Sequence, residues 1–173
     1  MKSSAGMDLE IEQARVADAP VVADILKEAA AWAERAHERL WLESELEPEQ
    51  IAADARNGQF FLAMHAGAAI GTVRYQLQDA LFWPDAAPGE AAYVHRLAVR
   101  RRWAGRGVAA QMLRWAARRA VTDGRALLRL DTDITRPRLR ALYVDCGFQE
   151  HSERRVGPYH VMRYEMRLDR LET

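Results

Sequence analysis

The chain is predicted to fold as a single mixed α/β domain, with a central sheet of about seven strands flanked by about four helices. Three observations predict this. Period-2 and period-3.6 apolar patterns alternate along the sequence, 173 residues suit one domain with a sizeable core, and no repeat, linker or low-complexity segment divides them.

Residues 1–8 read as a fraying, disordered leader and 9–173 as the domain. Leu9–Val16 alternates as a first strand. Asp18-Ala19-Pro20 then offers a capping carboxylate and a first-turn proline, and Val21, Val22, Ile25, Leu26, Ala29 and Ala30 recur at helical spacing, giving a helix that ends near Arg39. Pro48 opens a shorter helix that stops at Asn57-Gly58. Phe60–His65 and Ala69–Leu77 are strands that should pair as a hairpin around Ala66-Gly67-Ala68. Asp79–Glu90 carries Pro84, Pro88 and Gly89 and reads as a loop, and Ala92–Val99 is the next strand. A helix from Gly107 to about Thr122 carries Val108, Met112, Trp115 and Ala116 on one side and ends at Asp123-Gly124. Leu127–Asp131 is a strand, Arg138–Asp145 a helix, and Phe148–Val156 and Tyr159–Leu168 are strands turned by Gly157-Pro158.

The 25 basic and 25 acidic residues cancel, so nothing global attracts nucleic acid or an anionic membrane, and neither partner is expected. A lone cysteine, Cys146, excludes an internal disulfide and a cysteine-rich zinc site, and no metal is expected. With no apolar run of signal-peptide or spanning length, a cytoplasmic location follows as the default.

Chemistry concentrates in Leu97–Met112, where an apolar strand runs into a basic, glycine-punctuated loop and then a helix. Glycines let the backbone turn with its N–H groups inward, and a helix start adds unpaired donors and a positive dipole end, so a pyrophosphate suits the loop. Arg100, Arg101, Arg102 and Arg106 would surround it with mobile positive charge. It is not a Walker loop, since no Gly-Lys-Ser/Thr occurs, nor a dinucleotide fingerprint, since Ala110 stands where the third glycine belongs.

The loop resembles instead the coenzyme A pyrophosphate loop of the GNAT N-acetyltransferase superfamily. Val99 ends the strand, Gly107 and Ala109 fall on the pattern's Gly and Gly/Ala, and Ala104 departs from its Arg/Gln; Arg102 opens a second register, R-x-x-G-x-G. Downstream, Leu142-Tyr143-Val144-Asp145-Cys146-Gly147-Phe148 is similar to the family's Tyr-x-x-x-Gly-Phe helix end, while Arg136 stands where many members carry asparagine. The resemblance covers roughly Ile11 to Met166. It implies a mostly antiparallel twisted sheet that splays near Leu97 to admit acetyl-CoA. It also implies transfer of an acetyl group to a primary amine of a small molecule or peptide in a ternary complex. The main chain of Leu97, Ala98 and Val99 would hold the pantetheine arm, and Arg102, Trp103, Ala104, Gly105, Arg106, Gly107, Val108 and Ala109 the pyrophosphate. Tyr143 would protonate the departing sulfur; a hydroxyl with an ordinary pKa of about 10 stays protonated at neutral pH.

For a general base, His95 has a suitable intrinsic pKa, and by alternation shares a face with Tyr93, Leu97 and Val99. Glu90 is a second candidate, acting through water, and Asp131 and Asp133 leave the neighbouring strand at its C-terminal edge. Trp32, Trp41, Phe82 and Trp83, with Glu43, Glu45 and Glu47 nearby, would suit an amine with an aromatic or aliphatic body, and replacing Trp83 would then raise its KM. Cys146 sits in a capping turn, so no acetyl-enzyme is expected. A catalytically silent acyl-CoA-binding or interaction module on the same fold stays open, as does a homodimer.

Overall fold

The computed structural model describes residues 7–38 and 40–171. Four α-helices and seven strands follow the predicted order: β1 Glu10–Gln13, α1 Ala19–Arg35, α2 Pro48–Arg56, β2 Phe60–His65, β3 Ala68–Gln76, β4 Ala91–Val99, α3 Val108–Thr122, β5 Leu127–Asp133, α4 Pro137–Asp145, β6 Gln149–Val156 and β7 Tyr159–Arg167. The first helix stops short of its expected end, because His37 takes a left-handed φ of 57° that no helix continues through; Arg39 lies outside the described residues, as do Met1–Gly6. Met7, assigned to the leader, packs against the core, and the Asp8 carbonyl bonds His65 Nδ1 at 2.8 Å.

The sheet order is β1-β2-β3-β4-β5-β7-β6. Every neighbouring pair is antiparallel except β4–β5. Alternation distributes each strand between two cores. Phe60 and Leu62 point to the side covered by α1 and α2, with Val22, Ile25, Leu26 and Ile51, while Phe61 and Ala63 point to the side covered by α3 and α4, with Met112, Leu113 and Tyr143. That is why Phe60–Ala63 is a run of four buried residues. The hairpin between β2 and β3 turns on Ala66 and Gly67, both at positive φ, as a two-residue primed turn requires.

Two irregularities in β4 make the functional geometry. The register against β3 shifts between Thr72 and Arg74, so that Arg96 and Leu97 together oppose Val73. Arg96 sits at φ 55°, a conformation that costs a non-glycine residue about 1–3 kcal/mol. This bulge exchanges the faces of the strand. Ala92 and Val94 before it, and Leu97 and Val99 after it, all join the α3 core, whereas Ala98 joins the α1 core. The second irregularity lies on the other edge, where β4 pairs with β5 only from Ala91↔Leu127 to Val94↔Leu130. Beyond that point, to Val99 and Asp133, the two strands no longer pair with each other, and a gap opens between them.

Among the described residues, no helix is long and apolar enough to cross a membrane.

Candidate active site

Two hollows meet at the gap. One is lined by Leu97, Ala98, Val99, Arg101, Ala104 and Ala109 with Trp32 and Leu142; the other by His95, Arg96, Asp131, Tyr143, Trp41, Phe82 and Tyr159. Leu40, Leu97, Arg136 and Leu139 line both, so the two hollows adjoin at the gap.

At the first hollow stands the glycine loop. Gly105 and Gly107 have φ of 73° and 78°, and a Cβ on either would meet no atom within 4 Å, so the backbone conformation rather than crowding requires glycine. Gly107 caps α3. Among the described residues, the N–H groups of Gly105 to Ala110 have no hydrogen-bond partner, the first such partner along the helix being Gly107 O for Gln111. Consecutive free amides at a helix start form an anion cradle that needs no particular side chain, which makes Ala104 compatible with it. The four arginines are not equally mobile. Arg100 is fixed by Asp24 at 2.9 Å and Glu28 at 3.1 Å, and Arg101 lies 3.5 Å over the Trp32 ring. Arg102 and Arg106 flank Trp103 and, among the described residues, form no ion pair, so these two remain available to an anion.

The second hollow is built on the parallel pair. Tyr93 faces Arg129 in register, so two residues further along the same face His95 and Asp131 stand across the start of the gap. His95 Nδ1 is 3.7 Å from Asp131 Oδ2, and His95 Nε2–H donates to Asp79 Oδ2 at 2.6 Å. Asp79 reaches this position because it opens a turn, its Oδ1 accepting the Phe82 N–H and its carbonyl the Trp83 N–H. Burial disfavours the imidazolium, yet the charges of Asp131 and Asp79 outweigh it and raise the His95 pKa. The Asp131 carboxyl is pushed up to about 6, by burial first and by Asp79 against the opposing pull of His95. The three donor groups lie within 4.8 Å of one another. The carboxylates flank opposite ring nitrogens, however, which suits passing a proton along the imidazole rather than converging on a cation.

Tyr143, on α4, is buried against Phe148 and Tyr164 at ring separations of 6.0 and 5.6 Å. Its hydroxyl, which lines the hollow, forms no hydrogen bond among the described residues, and burial of the residue holds its pKa well above the ordinary tyrosine value. Tyr143 and His95 therefore line one hollow from opposite faces of the sheet.

Three expectations are corrected. His95 shares a face with Tyr93 but not with Leu97 and Val99, because the bulge at Arg96 intervenes. Glu90 lies before β4, at the end away from the gap, bound to Arg129 at 2.7 Å, and does not line either hollow. Trp83 is 3% exposed and packs on Tyr93, between the guanidinium groups of Arg129 and Arg163 at 4.5 and 4.6 Å. Trp83→Ala is therefore expected to lower stability by about 3–5 kcal/mol in denaturant unfolding, leaving the acceptor KM unchanged. Trp41 and Phe82 do line the second hollow, and Trp32 lines the first.

The family model described as acetyltransferase (GNAT) family matches residues 25–148. The chain belongs to the GNAT acetyltransferase family. A GNAT-family acetyltransferase from Listeria monocytogenes has a similar structure, with a TM-score of 0.76 at 22% identity over 95% of this chain and 98% of that one. The PaiA N-acetyltransferase of Thermoplasma acidophilum, solved in complex with coenzyme A, gives 0.74 at 16% identity over 93% and 99%. In sequence, the uncharacterized N-acetyltransferase YesJ of Bacillus subtilis is 33% identical over 88 residues, 51% of this chain and 48% of that protein. The chain thus spans about half the length of the curated relative that it matches.

Proposed function

We propose that this GNAT-family protein transfers the acetyl group of acetyl-CoA directly to a primary amine within a ternary complex. The observation that carries the reading is the β4–β5 gap, at which a hollow beside an anion cradle adjoins a hollow holding a buried acid–base cluster. The free amides of Gly105–Ala110, with Arg102 and Arg106, hold the pyrophosphate, and the unpaired edge of Leu97–Val99 takes the pantetheine arm.

The amine nitrogen then attacks the thioester carbonyl. As the C–N bond forms, the amine proton passes to His95 Nδ1, whose other nitrogen is held by Asp79; as the C–S bond breaks, the Tyr143 hydroxyl gives its proton to the sulfur. Tyr143 regains a proton from solvent. Cys146 lies outside both hollows, on another with Gly147 and Met166, and burial raises its thiol pKa, both of which favour direct transfer over an acetyl-enzyme.

Initial rates of CoA release with varied acetyl-CoA and amine test the reading. Intersecting double-reciprocal lines are expected; parallel lines with a burst of labelled acetyl-enzyme would overturn direct transfer.

The pH dependence follows from His95. A base works deprotonated, and its pKa is raised in the free folded protein, so kcat/KM should rise with pH along a limb above about 6.5 and be lost as pH falls through it. His95 and Asp131 are coupled, so the limb belongs to the pair. Asp79→Asn removes one of the charges that raise His95 and should move the limb to lower pH; an unmoved limb would exclude the pair as its source.

A further inference from the structure

The second hollow holds two buried polar atoms of opposite character that make no hydrogen bond among the described residues. Asp131 Oδ2 accepts no hydrogen bond among the described residues, although its side chain is 92% buried, and Arg96 Nη1 donates none. Both residues line the same hollow, and the Arg96 charge acts on Asp131. A carboxylate or guanidinium stripped of water and left short of hydrogen bonds is unfavourable, so a ligand that satisfies both gains from each.

The other charges around the hollow are already matched. Arg74 bonds Asp54 at 3.2 Å, Arg136 bonds Glu38 at 3.0 Å, and Asp133 accepts from the Thr135 N–H at 2.9 Å. Arg96 itself is aimed rather than free. Its Nη2 is 3.2 Å from Glu45 Oε1, its guanidinium lies 5.3 Å from the Trp41 ring, and its backbone sits in the left-handed bulge that also makes the face exchange of β4. Glu45 is in turn fixed by the Tyr159 hydroxyl and the Leu42 N–H. Strain and an unpartnered donor at one residue beside a reaction centre mark a binding role.

From these two orphans we infer that the acceptor is an amine bearing a carbonyl or carboxylate oxygen close to its nitrogen, as an α-amino acid or the first residue of a peptide does. This rests on the amine-acetylation reading. Asp131 receives the amino group, beside His95, and Arg96 Nη1 donates to the oxygen. A single oxygen suits the site better than a phosphate or sulfate, because Glu45 already takes half of the Arg96 fork and Asp131 repels a dianion. Trp41, Phe82 and Tyr159 in the same wall favour an aromatic side chain.

The test measures kcat/KM with acetyl-CoA for phenylalanine, phenylalanine amide and phenethylamine, which share a body and differ in the oxygen, using the wild-type protein and Arg96→Met. Because the wild-type to variant ratio is taken for each amine separately, differences in amine basicity cancel. Arg96→Met should lower kcat/KM at least about tenfold for an oxygen-bearing amine and less than about threefold for phenethylamine. Turnover of phenylalanine alone supports a free amino acid, and turnover of the amide as well supports a peptide N-terminus. Equal losses for all three amines would overturn the inference. So would a wild-type protein that uses phenethylamine as well as either oxygen-bearing partner, a comparison that needs no variant to fold. A protein that binds acetyl-CoA but releases CoA with none of these three, while doing so with another primary amine, would overturn the inference alone; one that releases CoA with no primary amine would overturn the acetylation reading itself.

Discussion

Tyr143→Phe is expected to lower kcat about 10²- to 10³-fold while leaving the affinity for acetyl-CoA unchanged. The hydroxyl has no hydrogen-bond partner among the described residues, so the folded protein loses no bond with it, and the ring contacts with Phe148 and Tyr164 persist. Removing a hydroxyl that faces the hollow and bonds nothing in the protein should leave the unfolding midpoint nearly unchanged. Chemistry and stability thus separate cleanly at this residue. Because burial raises its pKa above the ordinary value, Tyr143 remains the protonated acid through the whole working range, and kcat should show no descending limb from it below about pH 10. An undiminished kcat in the variant would mean that the thiolate takes its proton from elsewhere.

The second large effect concerns the loop. Gly107→Glu should reduce acetyl-CoA affinity by more than about 100-fold at low salt, with Gly107→Ala losing far less. The pairing of variants isolates the cause. Either side chain strains a backbone at φ 78°, and either finds open space around its Cβ, so the strain and the packing are common to both. Only the glutamate places a negative charge beside the free amides of Gly105–Ala110, where the diphosphate belongs. Calorimetric titration with acetyl-CoA measures both. Equal losses in the two variants would assign the effect to loop conformation and contradict an electrostatic role.

Much of this was legible in the residues because two periodicities were enough to place it. The apolar run from Phe60 gives a strand, and the glycines at 105 and 107 give the turn into α3. What could not be read was where the pattern breaks. A left-handed bulge is signalled in sequence by glycine or asparagine, and here arginine occupies it, so simple alternation wrongly put Leu97 and Val99 on the face of His95. Asp79 carried no signal at all. It belongs to a loop without periodicity, and only the turn it nucleates brings its carboxylate to His95 across 16 positions of chain. Asp131 was visible as a polar residue late in a strand, but its place opposite His95 depends on the parallel register Tyr93↔Arg129, which no local pattern fixes. Trp83 misled for the opposite reason: a tryptophan beside proline in a loop reads as a surface or pocket residue, whereas two guanidinium groups bury it.

The central claim, that the glycine loop and the open edge of β4 receive acetyl-CoA through the β4–β5 gap, is tested most directly by amide hydrogen exchange with and without saturating acetyl-CoA. The geometry predicts slowed exchange at Gly105–Ala110, whose N–H groups are free, together with Leu97–Val99 along the gap. Protection confined to other elements, or none at saturation, would contradict it.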